Sequence, residues 1–106
     1  MKKSSIEYFA SLDIPLFNAY GMSESTGPTT THSQHDFRLD TAGFAMPGTD
    51  LKIHDPDENG EGEVCMRGRH IMMGYLKNEK ATLETIDSQG YVRSGDRGRI
   101  LKDGHL

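Results

Sequence analysis

A tyrosine, a glycine, a hydroxyl and a carboxylate stand within five positions in the stretch YGMSE, residues 20–24. The Tyr20 ring offers a flat face on which a nucleobase can stack, and Gly21 lets the backbone turn tightly beside a ligand. The Ser23 hydroxyl is able to donate to a phosphate oxygen. The Glu24 carboxylate would repel that phosphate unless a hard cation lay between them, which favours Mg²⁺. Taken alone, the stretch is typical of a capped surface turn, and one wall of a nucleotide site is the alternative that its residue types allow.

A second stretch with site chemistry is YVRSGDRGR, residues 91–99. Asp96 follows a glycine there, in what the pattern predicts to be a tight turn after a strand. A carboxylate at such a place is able to accept hydrogen bonds from both vicinal hydroxyls of a ribose, as acidic residues do in dinucleotide sites. The alternative is an aspartate that hydrogen-bonds to its own turn backbone.

Other residues that could bind metal or react form weaker patterns. His32 and His35 have no third or fourth ligand at metal-binding spacing, so we interpret them as part of a solvated loop. Cys65 has no base beside it and lies in a strand pattern, which favours a packing role.

Composition and charge restrict the class of protein. The chain has 106 residues, of which 34% are hydrophobic and 26% charged, as expected of one globular domain or a piece of one. The formal net charge of −4 argues against a nucleic-acid-binding protein. A single cysteine excludes an internal disulfide and fits a reducing compartment. No run of 18 apolar residues is present, so the sequence predicts no transmembrane segment.

The first part of the chain predicts one helix and one strand. Ser4 and Glu7 have the spacing of a capping box, which predicts a helix over residues 4–12. Residues 15–20 predict a short buried strand that leads into the YGMSE stretch. Residues 23–39 are mostly polar and predict a loop, with a helical turn after Ser23.

The second part predicts a hairpin followed by a helix. Apolar residues alternate with polar ones on both sides of the turn-rich stretch DPDENGEGE, at Leu51 and Ile53 before it and at Val64 and Met66 after it. Asn78 is a suitable N-cap for a helix that ends near residue 86. A strand over residues 91–94 and a turn over residues 102–104 follow. The chain stops where a return strand is expected, which predicts a piece of a longer protein.

Together these motifs resemble the adenylate-forming (AMP-binding) superfamily, which includes acyl-CoA synthetases, luciferases and peptide-synthetase adenylation domains. FNAYGMSESTGP resembles the family's Tyr-Gly-x-Ser/Thr-Glu motif. GEVCMRGRHIMMGYLKNEKAT resembles its Gly-Glu-hydrophobic and Gly-Tyr segment, and GYVRSGDRGRILKDGHL resembles its Ser/Thr-Gly-Asp segment. The three motifs occur in the family's order over residues 15–106. YGMSES with GRHIMMGYL is most similar to the bubblegum-type branch of the long-chain acyl-CoA synthetases.

The resemblance implies nucleotide-binding roles for seven residues: Ala19, Tyr20, Gly21, Met22, Ser23, Glu24 and Asp96. Ser23 and Glu24 would be the catalytic pair, with Ser23 at the α-phosphate and Glu24 as the ligand of Mg²⁺. Tyr20 would stack on adenine, and Asp96 would bind the ribose hydroxyls. The other three would form a floor between the nucleotide and the acyl tunnel.

The resemblance also implies an α+β, mostly β fold, as a fragment of the N-terminal domain of an acyl-CoA synthetase. Residues 1–40 would be the edge of its large α/β subdomain, and residues 41–106 part of its antiparallel β-barrel subdomain. The hinge and the C-terminal domain would follow the last residue. Gly74 and Tyr75 would be structural residues of the barrel.

The implied reaction joins a long-chain fatty acid to CoA at the expense of ATP, through an acyl-adenylate, with Mg²⁺ as cofactor and AMP and pyrophosphate as products. The family's phosphate loop and catalytic lysine do not occur in the sequence, so the chain alone is expected to lack turnover. Two alternatives remain: an adenylate-forming enzyme for an aryl or amino acid, and a non-enzymatic β-rich binding module. An intracellular location is expected, in the cytoplasm or on the cytoplasmic face of an internal membrane. Strand edges exposed by truncation are expected to favour self-association.

Overall fold

The structure, a computed structural model that describes residues 2–106, contains two short helices and two three-stranded antiparallel sheets in that range. One sheet has the strand order β1-β2-β3 and the other the order β4-β5-β6. The elements in chain order are α1 (Lys3–Ala10), β1 (Ala19–Met22), a 3-10 turn (Ser23–Ser25), β2 (Gly27–Thr31), β3 (Phe44–Ala45), β4 (Thr49–His54), β5 (Gly62–Gly68), α2 (Glu79–Thr85) and β6 (Val92–Gly98). The predicted α+β, mostly β fold is confirmed.

Apolar alternation determines the register of the second sheet. Leu51 of β4 lies opposite Met66 of β5, and Ile53 lies opposite Val64. Because side chains two positions apart share one face of a strand, these four residues form a single apolar surface. The hairpin predicted across DPDENGEGE is confirmed.

The core lies where side chains of β1 pack against the second sheet. Val64, Met66 and Val92 are at most 2% exposed. Tyr20 and Met22 of β1 pack against this cluster. Removing apolar surface from water contributes roughly 25 cal/mol per Å². The same burial that stabilises the fold therefore fixes the position of the YGMSE stretch.

The strand predicted over residues 15–20 is wrong for its first four residues. Strand β1 begins only at Ala19 and continues to Met22. Pro15 has no N–H to donate to a sheet ladder. The Phe17 side chain is 42% exposed, so the apolar run before β1 is not buried.

The loop predicted over residues 23–39 contains strand β2. Its residues Thr29 and Thr30 are fully buried. β-Branched threonines favour strands, but the serines, glycines and histidines around them are typical of loops, so the composition of the segment does not indicate a strand. The helical turn predicted after Ser23 is present as the 3-10 turn.

The two helices begin in different ways. α1 has Lys2 at its N-cap without a side-chain hydrogen bond, so the capping box predicted at Ser4 and Glu7 is wrong. The predicted cap of α2 is confirmed, because the Asn78 side chain accepts the Ala81 N–H at 3.1 Å. Within residues 2–106, neither helix has the length and apolarity needed to cross a bilayer.

His32 is buried, with 5% of its surface exposed, which contradicts the solvated position predicted for it. The Asn18 N–H donates to Nδ1 of His32 at 3.0 Å. The proton must then be on Nε2, which lies 2.8 Å from the Thr41 hydroxyl. Burial, together with the neighbouring His105, lowers the pKa of His32. The imidazole is therefore a neutral part of the fold.

We expect the fold to lose stability as the pH falls from 7 to 5. The unfolded chain has a His32 pKa of about 6.5 and the folded chain a lower one, so the unfolded state binds more protons below about pH 6.5. Stability then falls by up to about 1.4 kcal/mol per pH unit until the folded pKa is passed. Urea unfolding at pH 7, 6 and 5 measures this loss.

The exposed His35 provides the matched control. His35→Gln should keep the pH dependence of the wild type, whereas His32→Asn should flatten it while lowering stability at pH 7. An unchanged pH dependence in His32→Asn would show that another group is responsible.

Candidate nucleotide site

The first predicted motif lines an open cleft of about 620 Å³ beside β1 and β2. One side of the cleft consists of five consecutive predicted site residues: Ala19, Tyr20, Gly21, Met22 and Ser23. The other side consists of Thr26, Gly27 and Pro28. The structure therefore brings most of the predicted nucleotide-binding residues into one concave surface.

A close approach between β1 and β2 shapes this cleft. Gly21 lies opposite Pro28, and Met22 lies opposite Gly27. A Cβ atom on Gly21 would lie 2.0 Å from the carbonyl oxygen of Gly27, so only glycine permits this approach. The buried Ser25 hydroxyl accepts the Met22 N–H at 3.1 Å and closes the 3-10 turn between the strands.

Tyr20 connects the two predicted motifs. Its half-buried ring packs against the core, and its hydroxyl donates to Oδ2 of Asp96 at 2.8 Å. Burial, together with the Asp96 carboxylate, raises the pKa of Tyr20 to about 12. The hydroxyl is therefore a stable donor at neutral pH, and it holds the Tyr20 ring beside the Asp96 carboxylate.

Asp96 lies within β6, and the prediction that it occupies a turn after a strand is wrong. A register shift places residues 94–96 of β6 opposite the single residue Val64 of β5, which is a β-bulge. Gly95 has φ +76° in this bulge, and its N–H donates to Oε1 of Glu63 at 3.0 Å. Bulges re-aim side chains, and at this one Asp96 accepts the Tyr20 hydroxyl. Asp96 and Glu24 are not among the residues that line the cleft itself.

Glu24 is in the middle of the 3-10 turn and is half-buried. Its Oε1 accepts a hydrogen bond from the Tyr75 hydroxyl at 2.6 Å. This bond, together with a backbone hydrogen bond, lowers the pKa of Glu24. The carboxylate is ionised at neutral pH, as a ligand for a cation must be. The neighbouring Ser23 side chain is exposed at the cleft.

The donor set fits Mg²⁺ when the ion arrives with phosphate. Among residues 2–106, no group of three His, Cys, Asp or Glu side chains is close enough to hold a metal. Mg²⁺ is usually bound by one or two carboxylates, with substrate phosphates and water as its other ligands. Tyr75 donates to Oε1 of Glu24, and the ionised carboxylate keeps further acceptor sites for a cation.

The sequence motifs indicate only a structural role for Tyr75, although its hydroxyl reaches Glu24 across 51 positions of sequence. They do not indicate Glu63, whose carboxylate accepts a hydrogen bond from the bulge beside Asp96. Neither residue carries a local signal, because each acts through a partner that the fold brings near.

Cys65 is 1% exposed, and burial raises the pKa of its thiol, in agreement with the predicted packing role. Burial disfavours the thiolate, which is the reactive form of cysteine. Cys65 therefore belongs to the core and not to the cleft.

Solved structures share the fold of this chain over nearly its whole length. A long-chain-fatty-acid CoA ligase structure from Rhodopseudomonas palustris superposes with a TM-score of 0.84 at 28% identity, covering 100% of this chain and 28% of that one. The o-succinylbenzoate coenzyme A synthetase of Bacillus subtilis in complex with AMP superposes with a TM-score of 0.83 at 25% identity, covering 99% of this chain and 23% of that one.

Sequence relatives belong to the same group of enzymes. The long-chain-fatty-acid–CoA ligase ACSBG2 of Gallus gallus is 48% identical over 100% of this chain, and the human protein of that name is 42% identical. The chain spans 14% of the Gallus gallus ligase and 16% of the human one. These relatives confirm the predicted resemblance to the bubblegum-type branch. Residues 2–76 match the family of AMP-binding enzymes. The chain belongs to the AMP-binding enzyme family.

Proposed function

We propose that this chain supplies two walls of the ATP site in a long-chain-fatty-acid–CoA ligase. The observation that carries the proposal is the hydrogen bond of 2.8 Å between Tyr20 and Asp96. It joins two motifs that are 76 positions apart in sequence, one suited to a base and the other to a ribose. A base and its ribose are bonded to each other, so their binding groups must be neighbours, as these two are.

The adenosine part of the nucleotide would lie in the cleft. Tyr20 stacks on the adenine ring, a contact worth about 1–3 kcal/mol in related stacking systems. Asp96 accepts the two ribose hydroxyls. Ala19, Gly21 and Met22 form the floor, where the absence of a Gly21 side chain keeps the backbone close to the ligand.

The phosphate part of the nucleotide would lie along the 3-10 turn. The Ser23 hydroxyl would donate to the α-phosphate, and the ionised Glu24 carboxylate would hold Mg²⁺. When bound, Mg²⁺ neutralises charge on the phosphate oxygens, which the displacement between two anions requires. Glu24 would fix the position of the Mg²⁺ charge, and the Ser23 hydroxyl would donate a hydrogen bond beside the reacting phosphorus.

The proposed reaction has two halves. The carboxylate of a long-chain fatty acid displaces pyrophosphate from ATP, and the CoA thiolate then displaces AMP from the acyl-adenylate. The names of the relatives that are 42–48% identical support a long-chain fatty acid as the substrate. The o-succinylbenzoate synthetase is 25% identical, so it gives less support to the aryl-acid alternative.

We propose the same division of the chain as the resemblance implies, with the α/β edge over residues 1–40 and the barrel part over residues 41–106. Exposed apolar side chains around α2 support burial against further parts of a ligase: Met73 is 99% exposed, Leu76 is 90% exposed and Leu83 is 71% exposed. In the chain alone, this exposed apolar face would add to the self-association that is predicted for its strand edges.

A segment replacement tests the proposal. The part of the Gallus gallus ligase that matches this chain is replaced by residues 1–106, and acyl-CoA and AMP are measured with ATP, Mg²⁺, CoA and a long-chain fatty acid. We expect activity within about tenfold of the unmodified ligase, because the ATP-site geometry is retained. The chimaera with Glu24→Gln should lose about 100-fold or more in kcat, comparable to the loss of one transition-state donor. A folded chimaera that forms no acyl-CoA would contradict the proposal.

A further inference from the structure

The segment between β5 and α2, residues 69–78, makes three hydrogen bonds to the 3-10 turn and to Thr26, the residue that follows the turn. The Thr26 hydroxyl donates to the carbonyl oxygen of His70. The Met72 N–H donates to the backbone carbonyl of Glu24 at 2.8 Å. The Tyr75 hydroxyl donates to the carboxylate of Glu24 at 2.6 Å. One segment therefore makes hydrogen bonds to both the backbone carbonyl and the side-chain carboxylate of Glu24.

Helix α2 anchors Tyr75 in turn. The Tyr75 N–H donates to the Thr82 hydroxyl at 2.9 Å, and that hydroxyl donates to the Asn78 carbonyl at 3.0 Å. Gly74 makes this approach possible, since a Cβ there would lie 2.8 Å from Cγ2 of Thr82. Asn78 is the N-cap of α2, so the anchor lies on a regular element.

The contact has the geometry of a support for a metal-ligating carboxylate. A hydroxyl donating to a carboxylate is a short, charge-assisted hydrogen bond. Ligating carboxylates are commonly hydrogen-bonded in this way, and loss of such partners weakens metal binding. The bond restricts the rotamers of a glutamate that would otherwise be free to turn away, which lowers the entropy cost of binding. The Tyr75 hydroxyl uses one acceptor site on Oε1, and an ionised carboxylate has about four, so acceptor sites remain for a cation.

We propose that Tyr75 is a positioning residue that holds Glu24 in the orientation for Mg²⁺, with α2 as its support. This inference rests on the proposed function, because it assumes that Glu24 binds the ion. It assigns α2, which lies outside the cleft, a part in setting metal affinity.

Mn²⁺ in the presence of AMP is the probe for this role, since Mn²⁺ broadens amide signals near its binding site. In the 106-residue chain, we expect Mn²⁺ to broaden the amides of residues 22–25, and Glu24→Gln to abolish that broadening. Tyr75→Phe should raise the Mn²⁺ concentration for half-maximal broadening about three- to tenfold, with peak dispersion unchanged. Tyr8→Phe, an exposed tyrosine of α1, should behave as the wild type.

Thr82→Val supplies a second variant, because it keeps the Tyr75 hydroxyl but removes its anchor. We expect it to raise the Mn²⁺ concentration in the same direction. In the chimaera, Tyr75→Phe should raise the Mg²⁺ concentration for half-maximal activity and leave the KM for the fatty acid unchanged, a split that a general folding defect would not produce.

The outcomes separate this inference from the proposed function. Broadening that depends on Glu24 but is the same in Tyr75→Phe and Thr82→Val as in the wild type would overturn the positioning role alone. Broadening near residues 22–25 that persists in Glu24→Gln, or none in the wild type, would overturn the metal role of Glu24 and the inference with it.

Discussion

Replacing Gly21 by alanine is expected to lower the free energy of unfolding of the chain by about 3 kcal/mol. The new Cβ would lie 2.0 Å from the carbonyl oxygen of Gly27 and 2.9 Å from Cα of Pro28. Both are backbone atoms of β2, so no side chain can rotate to relieve the clash. β1 would have to move away from β2, which would draw Tyr20 from the core and from Asp96.

Urea unfolding measures this loss. For a small domain with a denaturant dependence of about 2 kcal/mol per M, the midpoint should fall by about 1.5 M. Gly60→Ala is the control, because Gly60 has φ +77° but no atom near its missing Cβ. That variant adds backbone strain of about 1 kcal/mol without a clash. Equal midpoints for Gly21→Ala and the wild type would show that the two strands do not approach as described.

Replacing Asp96 by alanine is expected to raise the KM for ATP of the chimaera about 100-fold or more. The carboxylate accepts two ribose hydroxyls in the proposed complex, and hydrogen bonds to a charged group each contribute about 1.5–3 kcal/mol. The change also removes the acceptor of the Tyr20 hydroxyl, which holds the adenine-facing ring. The KM for the fatty acid should not change, because the proposed role of Asp96 is to bind the ribose of ATP.

Two control variants isolate the ribose contact. Tyr20→Phe keeps the ring that stacks on adenine and removes only the donor to Asp96, so its KM for ATP should rise less than about fivefold. Arg97→Ala removes a neighbouring charge whose partner is Asp57, at 3.1 Å, and should leave that KM unchanged. A KM for ATP that is the same in Asp96→Ala as in Arg97→Ala would contradict the ribose-binding role.

Local patterns predicted the parts of the fold that local physics decides. The β4–β5 hairpin follows from apolar alternation on both sides of a turn, and in it Leu51 lies opposite Met66. The start of α2 follows from an asparagine that caps its own helix. In both cases the determining contacts lie within about 20 positions of sequence.

The misses occur where tertiary contacts override the local pattern. Thr29 and Thr30 are fully buried in a strand, although their neighbours have loop composition. His32 is buried and hydrogen-bonded to Asn18 and Thr41, and the spacing of these residues in the sequence does not show that they are close. Ser4 has a capping spacing, but α1 begins one residue earlier and leaves it inside the helix.

The candidate site shows the same division. The residue types at Tyr20, Glu24 and Asp96 indicated nucleotide chemistry before any fold was known. The sequence could not show that a β-bulge aims Asp96 at Tyr20 or that Tyr75 reaches Glu24, since these contacts join positions 76 and 51 residues apart. Residue types alone predicted the chemistry of the candidate site, whereas its geometry depends on contacts that only the fold creates.

If the two motifs form one nucleotide-binding surface, both must respond to the same ligand. A two-dimensional amide NMR titration of the 106-residue chain with AMP and Mg²⁺, followed by a non-hydrolysable acyl-adenylate, measures this response. We expect concerted shifts with one affinity at residues 19–24 and at the bulge, residues 94–96. A well-dispersed spectrum in which only one of these segments shifts, or neither, would contradict it.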